Sequence, residues 1–198
     1  RARAQQLASR LTASRKAQTA GLIKKTNALL SSVGMPGASV KVEITGGELR
    51  ESGDDQVTFL FDANKSGNYQ PSRKVASGGE LSRLMLCIKS LVARSVSLPT
   101  LIFDEIDSGI SGEAARQVGN IMKDLALTHQ VICITHQPQI AGKADTHFEV
   151  FKHEGGGVIR TSIRMLDHEQ RVSTIAQMLS GERPGAAALA NARELMED

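Results

Sequence analysis

Aromatic residues are scarce in this sequence, and that scarcity limits the kinds of surface the chain can form. Phe, Tyr and Trp together make up 3% of the 198 residues, and Trp is absent. A platform that stacks successive bases of a single strand needs several such rings. The composition therefore argues against that mode of nucleic-acid binding.

Cysteine is also rare, and long apolar runs are missing. The two cysteines, Cys87 and Cys133, lie in apolar segments without the spacing of a disulfide framework or a zinc site. We expect both to be reduced core residues of a cytosolic protein. No stretch approaches the roughly 18 uninterrupted apolar residues of a membrane span, so we expect no membrane partner. The 40% of hydrophobic residues is enough for a folded core.

Acidic residues are absent from positions 1–42, although this segment holds eight of the 24 Lys and Arg residues. The rest of the chain carries all 21 acidic residues. A basic segment of this kind can neutralise DNA phosphates, for example through Arg10, Arg15 and Lys16. It can equally be the solvated face of a helix, and the pattern leaves both interpretations open.

Apolar residues recur at helical spacing through the first 33 residues, and Gly34 and Pro36 supply a stop. The pattern fits the end of a coiled-coil strand or an ordinary amphipathic helix. Ser14 and Gln18 occupy heptad positions that a coiled coil would fill with apolar residues. The periodicity alone does not separate the two.

Beyond the helix, the pattern predicts a mixed α/β fold. "ASVKVEIT" and "DQVTFLFDAN" read as strands joined by the turn "GGELRESGD". Further on, two continuous apolar strands, "TLIFD" and "QVICITH", are separated by the helix "GEAARQVGNIMKDLALT", and a third helix, "ELSRLMLCIKSLVARS", precedes them. A hairpin in "THFEVFKHEGGGVIRTSIRML" and two short helices complete the chain.

Alternating strands and helices predict a parallel sheet whose ligands gather at the carboxyl ends of its strands. Asp104 and Glu105 follow the first of these strands. One carboxylate there could hold Mg²⁺ through water, and the other could accept a proton from an attacking water. Taken alone, "LIFDE" is a weak motif, because solvated acids commonly end a strand.

Two more features accompany the acids. "ASGGELSR" places Ser77, Gly78 and Gly79 at the start of a helix beginning near Glu80, where unobstructed amides can bind phosphate. "ICITH" ends the second strand in His136, a donor that could reach a terminal phosphate. Alone, the first feature could be a helix cap and the second a structural histidine. The histidines show no zinc-ligand spacing.

The order and spacing of the three features are more specific than any one of them. Asp104 follows Gly79 by 25 residues, and His136 follows Glu105 by 31 residues. This resembles the C-terminal half of an ATP-binding-cassette ATPase. The resemblance implies that Asp104 is the Mg²⁺-side carboxylate, Glu105 the catalytic base and His136 the switch histidine.

The same resemblance implies an ATP-contacting signature sequence made of Ser77, Gly78, Gly79 and Glu80, and a D-loop that begins at Asp107. A transporter cassette would be expected to carry Gln after the glycines, where Glu80 stands here. This departure and the lack of a recognisable membrane-coupling segment argue against a transporter.

Longer segments, notably "DEIDSGISG" and "ITHQPQIA", resemble bacterial DNA-repair ATPases related to the SMC proteins. That resemblance implies a coiled-coil arm ending at residues 1–33 and the C-terminal lobe of an ATPase head at 34–198. It also implies ATP and Mg²⁺ as cofactors, DNA and a second head as partners, and a nucleoid-associated location in the cytoplasm.

No G-x-x-x-x-G-K-[ST] motif occurs in the sequence, and that loop cradles the nucleotide phosphates in this family. In the resembling proteins it lies in an N-terminal half, so we expect this chain to need that half and to hydrolyse no ATP alone. The alternative is a non-catalytic dimerisation or DNA-binding module that has kept the fold.

Overall fold

The computed structural model describes residues 1–71, 78–92, 98–155 and 158–197. Ser77 of the predicted signature lies outside these ranges. The chain forms two compact units: Arg1–Pro99 with Phe103–Ile110, here called unit 1, and Thr100–Ile102 with Ser111–Asp198, here called unit 2.

The fold is mixed α/β, as predicted. The helices in the described residues are α1 (Ala2–Ser32), α2 (Gly78–Val92), α3 (Gly112–Ala126), α4 (Pro138–Ala141), α5 (His168–Ser180) and α6 (Ala186–Glu197). The strands there are β1 (Ser39–Arg50), β2 (Gly53–Asp62), β3 (Gln70–Pro71), β4 (Thr100–Phe103), β5 (Gln130–Cys133), β6 (Phe148–Gly155) and β7 (Val158–Met165). The sheet orders are β1-β2-β3, β4-β5 and β6-β7, and β4 and β5 form the parallel pair.

Helix α1 ends where the glycine signal predicts. Gly34 has φ +80°, a left-handed conformation that favours glycine. The amide of Met35 then donates to the carbonyl of Leu30 at 3.0 Å, and Leu30 and Val33 are fully buried at this end. The turn therefore satisfies a helix-end carbonyl and directs the chain into β1.

The β1–β2 hairpin is longer than predicted. Its antiparallel register runs from Ser39 opposite Asp62 to Gly46 opposite Asp55, and it resumes with Arg50 opposite Gly53. The nine-residue turn expected at 46–54 was wrong, because backbone pairing continues through this stretch after a register shift. Glycines near a bulge can remain in a strand because the ladder bonds outweigh their low strand propensity.

One buried carboxylate fastens helix α1 to this hairpin. Arg15 Nη1 donates to Asp55 Oδ2 at 2.7 Å, and Arg15 Nη2 donates to the Ser52 carbonyl at 2.7 Å. Thr12 Oγ1 donates to Asp55 Oδ1 at 2.8 Å. The hydrogen bonds from Arg15, and next from Thr12, lower the pKa of Asp55 below its usual value. Arg15 thus has a structural partner, which the sequence pattern did not predict.

Unit 2 builds its core on helices α4, α5 and α6. A capping box starts α5: the Gln170 amide donates to Asp167 Oδ1 at 2.9 Å, and the Asp167 amide donates to Gln170 Oε1 at 3.0 Å. The helices then pack through small and branched side chains. The buried members of this cluster are Ala141, Val172, Ile175, Ala176 and Ala192.

Strands β4 and β5 differ from the prediction of continuously buried strands. Leu101 is 3% exposed, whereas Ile102 is 63% exposed. Ile132 in β5 and Ile134 just after it are also exposed. Burial alternates along β4 because the described residues cover only one face there, so an apolar face of unit 2 remains open to solvent.

Cys87 is buried, as predicted, and desolvation raises the pKa of its thiol to about 12. Cys133 is half-buried. Among the described residues, no helix is both long and apolar enough to cross a bilayer.

Candidate functional site

The glycine-rich start of α2 packs directly against the loop that follows β4, and both belong to unit 1. A β-carbon at Gly79 would lie 2.8 Å from Cβ of Ser108 and 3.1 Å from the carbonyl oxygen of Glu105. A β-carbon at Gly78 would overlap Oε2 of Glu105. Gly79 therefore needs to be glycine for packing against this turn, whereas at Gly78 the obstacle is the end of the Glu105 side chain. The helix N-terminus at these glycines is the kind that favours an anion.

Glu105 has an unusual backbone for a non-glycine residue. Its φ is +56°, in the left-handed region. Its amide donates to Oδ1 of Asp104 at 2.9 Å, and its carbonyl accepts the Ser108 amide at 3.2 Å. Left-handed residues of this type concentrate at functional sites, where the surrounding contacts hold them. The side chains of Asp104 and Glu105 are both exposed at the strand end, so they can reach a ligand.

Glu80 and Asp107 occupy different environments. Glu80 lies in the first turn of α2, where a carboxylate is stabilised by the helix dipole, and it is half-buried. Asp107 is 3% exposed. The structure places both beside the charge of Arg83. Their predicted contacts with nucleotide or a second head stay predictions.

His136 belongs to unit 2, unlike the other predicted site residues that are described. It follows β5 and precedes the short helix α4, and its ring is exposed. Its Nε2 lies 3.3 Å from Nε2 of Gln137, and the Gln137 amide donates to Thr135 Oγ1 at 3.0 Å. Its role as a switch histidine stays a prediction.

The donor set at the β4 end fits a magnesium ion bound through one protein carboxylate. No group of three or more His, Cys, Asp and Glu side chains that could hold a metal occurs within the described ranges. Mg²⁺ commonly takes one or two carboxylates and fills its other positions with phosphate oxygens and water. Asp104 can supply the single carboxylate, and the phosphates would come with a nucleotide.

Sequence reasoning missed one residue at this site, Arg83. It is 5% exposed on the face of α2 that contacts the loop after β4, and it donates hydrogen bonds to that loop. One feature of the sequence could have pointed to Arg83. It precedes Leu84, which the helical period of α2 places on the buried side of the helix. A cation on that face needs buried acceptors.

The fold of the chain is similar to two solved structures of SMC proteins. An SMC head domain with a coiled coil and joint from Pyrococcus yayanosii matches with a TM-score of 0.58 and 18% identity, over 86% of this chain and 30% of that chain. A structure from work on ATP-driven dimerization and DNA stimulated activation of SMC ATPases matches with a TM-score of 0.50 and 15% identity, over 87% of this chain and 99% of that one. The fold is that of an SMC head domain.

Two sequence relatives have a higher identity to this chain than the structural matches do. DNA repair protein RecN of Vibrio cholerae is 40% identical over 191 residues, which are 96% of this chain and 34% of that protein. RecN of Xylella fastidiosa is 36% identical over 196 residues, which are 98% of this chain and 35% of that protein. No family model matches the chain. The chain is a homologue of bacterial RecN, which confirms the predicted resemblance, and it spans about a third of the length of these relatives.

Proposed function

We propose that this chain is the C-terminal part of the ATPase head of an SMC-like protein that repairs DNA double-strand breaks in the bacterial cytoplasm, on the nucleoid. The observation that carries the proposal is the packing of Gly78 and Gly79 against Glu105. This packing brings the N-terminus of α2, which favours an anion, next to the Glu105 carboxylate, which can act as a base. The likeness to RecN supports DNA repair as the setting.

Within each head, Glu105 would accept a proton from the water that attacks the terminal phosphate, while Asp104 would hold Mg²⁺ through water. When bound, the metal neutralises charge that develops on the phosphate oxygens. His136 would donate a hydrogen bond to a terminal phosphate. Together these residues supply positioning and charge compensation, which are the main demands of phosphoryl transfer.

Nucleotide would be shared between two copies of the head. Ser77, Gly78 and Gly79 of one copy would contact the terminal phosphate held by the other, and Glu80 would support that contact from the first turn of α2. Asp107 would help sense the second copy. This is a two-fold arrangement in which each subunit completes the site of its partner. Binding would close the heads on DNA, and hydrolysis would open them.

The phosphate-cradling loop would come from an N-terminal half of the same protein. The open apolar face around Ile102, Ile132 and Ile134 supports this part of the proposal, since apolar patches of this kind mark interfaces. The relatives are about three times as long as the matched segment, so they hold enough additional chain to cover it.

The test uses the full-length protein that contains this chain. Glu105→Gln should abolish ATP turnover and prolong the ATP-bound dimer, because the base is lost and nucleotide contacts remain. Glu169→Gln makes the same chemical change at an exposed residue in the first turn of α5 and should leave turnover unaltered. Turnover and light scattering measure the two effects.

Unaltered turnover in Glu105→Gln would reject Glu105 as the base. A wild-type protein that dimerises or binds DNA without any ATP turnover would instead favour the non-catalytic module. Ser77→Arg should block dimerisation while ATP binding persists, and a dimer as stable as the parent's would reject the shared site.

A further inference from the structure

Arg83 lies on helix α2, four residues after Gly79, and its side chain is almost entirely removed from solvent. Burial lowers the pKa of Arg83, and the nearby charges of Glu80 and Asp107 act in the opposite direction. A buried cation destabilises a fold unless it is paired and hydrogen-bonded. The partners of its guanidinium therefore indicate its role.

Those partners are backbone carbonyls of the loop after β4. Nη1 of Arg83 donates to the Ser108 carbonyl at 2.6 Å and to the Ile106 carbonyl at 3.3 Å. The two carbonyls flank Asp107, which is itself buried. One nitrogen thus holds the backbone on both sides of the predicted D-loop aspartate.

The same side of α2 makes two further contacts with this loop. Ser82 Oγ donates to the carbonyl of Asp104 at 3.1 Å. Gly79 packs on Ser108 so closely that no β-carbon fits without a shift. The Ser108 amide in turn donates to the carbonyl of Glu105, which closes the loop into a tight turn. The loop is therefore attached to the helix at several points, and Arg83 provides the charged one.

We propose that Arg83 is a positioning residue that fastens the loop carrying Glu105 and Asp107 to helix α2. The glycine end of the helix and the carboxylate of the base then move as one body. This inference rests on the proposed function and deepens it. A phosphate from the opposite head that contacts Gly78 would shift α2, and the shift would reach Glu105 through the Arg83 guanidinium.

The geometry calls for arginine in particular. A planar guanidinium directs its N–H groups along fixed lines, so a single nitrogen can serve two carbonyls. Lysine keeps the charge on a flexible stem and loses this planar fork. Methionine keeps much of the stem's volume but loses both the charge and the donors. Arg83→Lys and Arg83→Met therefore form a graded pair.

The experiment measures steady-state ATP turnover and amide hydrogen exchange in the full-length protein. Arg83→Met should lower kcat by roughly 10- to 100-fold, because a small misplacement of a catalytic group costs that much. KM for ATP should stay within about twofold, since ground-state nucleotide binding depends on other residues. Arg83→Lys should recover part of kcat, and exchange at the Ser108 amide should accelerate in both variants.

Ser90→Ala is the matched control, because Ser90 lies on the same helix and its hydroxyl bonds to the Cys87 carbonyl rather than to the loop. It should leave kcat per folded molecule and Ser108 exchange unaltered. If Arg83→Met does not fold, the kcat and the Ser108 exchange of Arg83→Lys are compared with those of the parent protein instead.

The proposal is overturned if Arg83→Met folds and has the kcat and the Ser108 exchange of the parent protein, or, where Arg83→Met does not fold, if Arg83→Lys has both. Glu105→Gln, measured alongside, separates this failure from that of the proposed function. Lost turnover in Glu105→Gln with normal turnover in Arg83→Met rejects only the positioning role. Normal turnover in Glu105→Gln rejects the proposed function itself.

Discussion

The carboxylate of Glu105 lies against Gly78, so that a β-carbon on this glycine would overlap Oε2 of the glutamate. Gly79 is buried, and a β-carbon there would meet Cβ of Ser108 and the backbone oxygens of Glu105 and Ser108. The difference matters because a side-chain end can move aside, whereas backbone in a tight turn cannot. The two adjacent glycines therefore predict different effects for the same substitution.

Gly78→Ala should leave the stability of the chain nearly unaltered and displace the Glu105 carboxylate. Gly79→Ala should destabilise unit 1 by roughly 1–3 kcal/mol, because the new methyl group overpacks a closed contact. Chemical denaturation of this chain measures both free energies of unfolding. ATP turnover of the full-length Gly78→Ala protein should fall although its fold is intact.

Gly21→Ala is the control for both, since nothing lies within 4 Å of a β-carbon at Gly21 in the middle of α1. It should stabilise the helix by up to about 1 kcal/mol through higher helix propensity. Equal effects of Ala at positions 78 and 79 would contradict the packing described for α2.

The Arg15–Asp55 contact predicts a pH-dependent contribution to stability. The pKa of Asp55 in the folded chain lies below its ordinary value of 3.8. Its contribution is therefore fully present above pH 3.8 and is lost as the pH falls through the lowered folded-state pKa. Asp55→Asn should lower Tm at neutral pH, and its difference in Tm from the parent should shrink as the pH drops below that value.

Glu113→Gln provides the comparison at an exposed ion pair. Glu113 pairs with Arg116 at 2.8 Å one turn along α3, and both side chains are largely exposed. Pairs of this kind contribute little to stability, so Tm at neutral pH should scarcely change. A Tm difference for Asp55→Asn that stays constant down to pH 2 would show that Asp55 does not titrate as described.

The basic face of α1 makes a prediction about DNA. Arg3, Arg10 and Lys24 are separated by multiples of seven residues, share one side of the helix and are exposed. Arg15 is held by Asp55 instead, so it is a poorer candidate for a phosphate contact than the sequence suggested. Charge reversal at the three exposed positions should weaken DNA binding by the full-length protein and flatten its salt dependence by about 0.9 per lost contact.

The control reverses three exposed charges in unit 2, at Lys152, Arg160 and Arg183. Titrations at several salt concentrations should give the parent's slope for this variant. If the α1 variant also keeps the parent's slope, the basic side of the helix is simply solvated.

Local signals in the sequence were sufficient for most elements. Gly34 ended α1 because only a residue that tolerates positive φ closes that helix end readily. The chain order of Gly78, Asp104 and Glu105 pointed to a nucleotide site, because the glycine stands at a helix start and the two acids follow a strand end. Such signals act within a few residues, and neighbouring chain is enough to determine them.

The tertiary structure decided what depends on partners distant in sequence. Arg83 and Arg15 look alike in a helical pattern, yet Arg83 holds the loop at Ile106 and Ser108, while Arg15 binds Asp55. Likewise, apolar Ile102 reads as a core residue but is exposed. The sequence by itself determined which groups could form a site. Only the packing of distant segments decided which charges are buried and which apolar face stays open, because burial depends on what the fold places against each side chain.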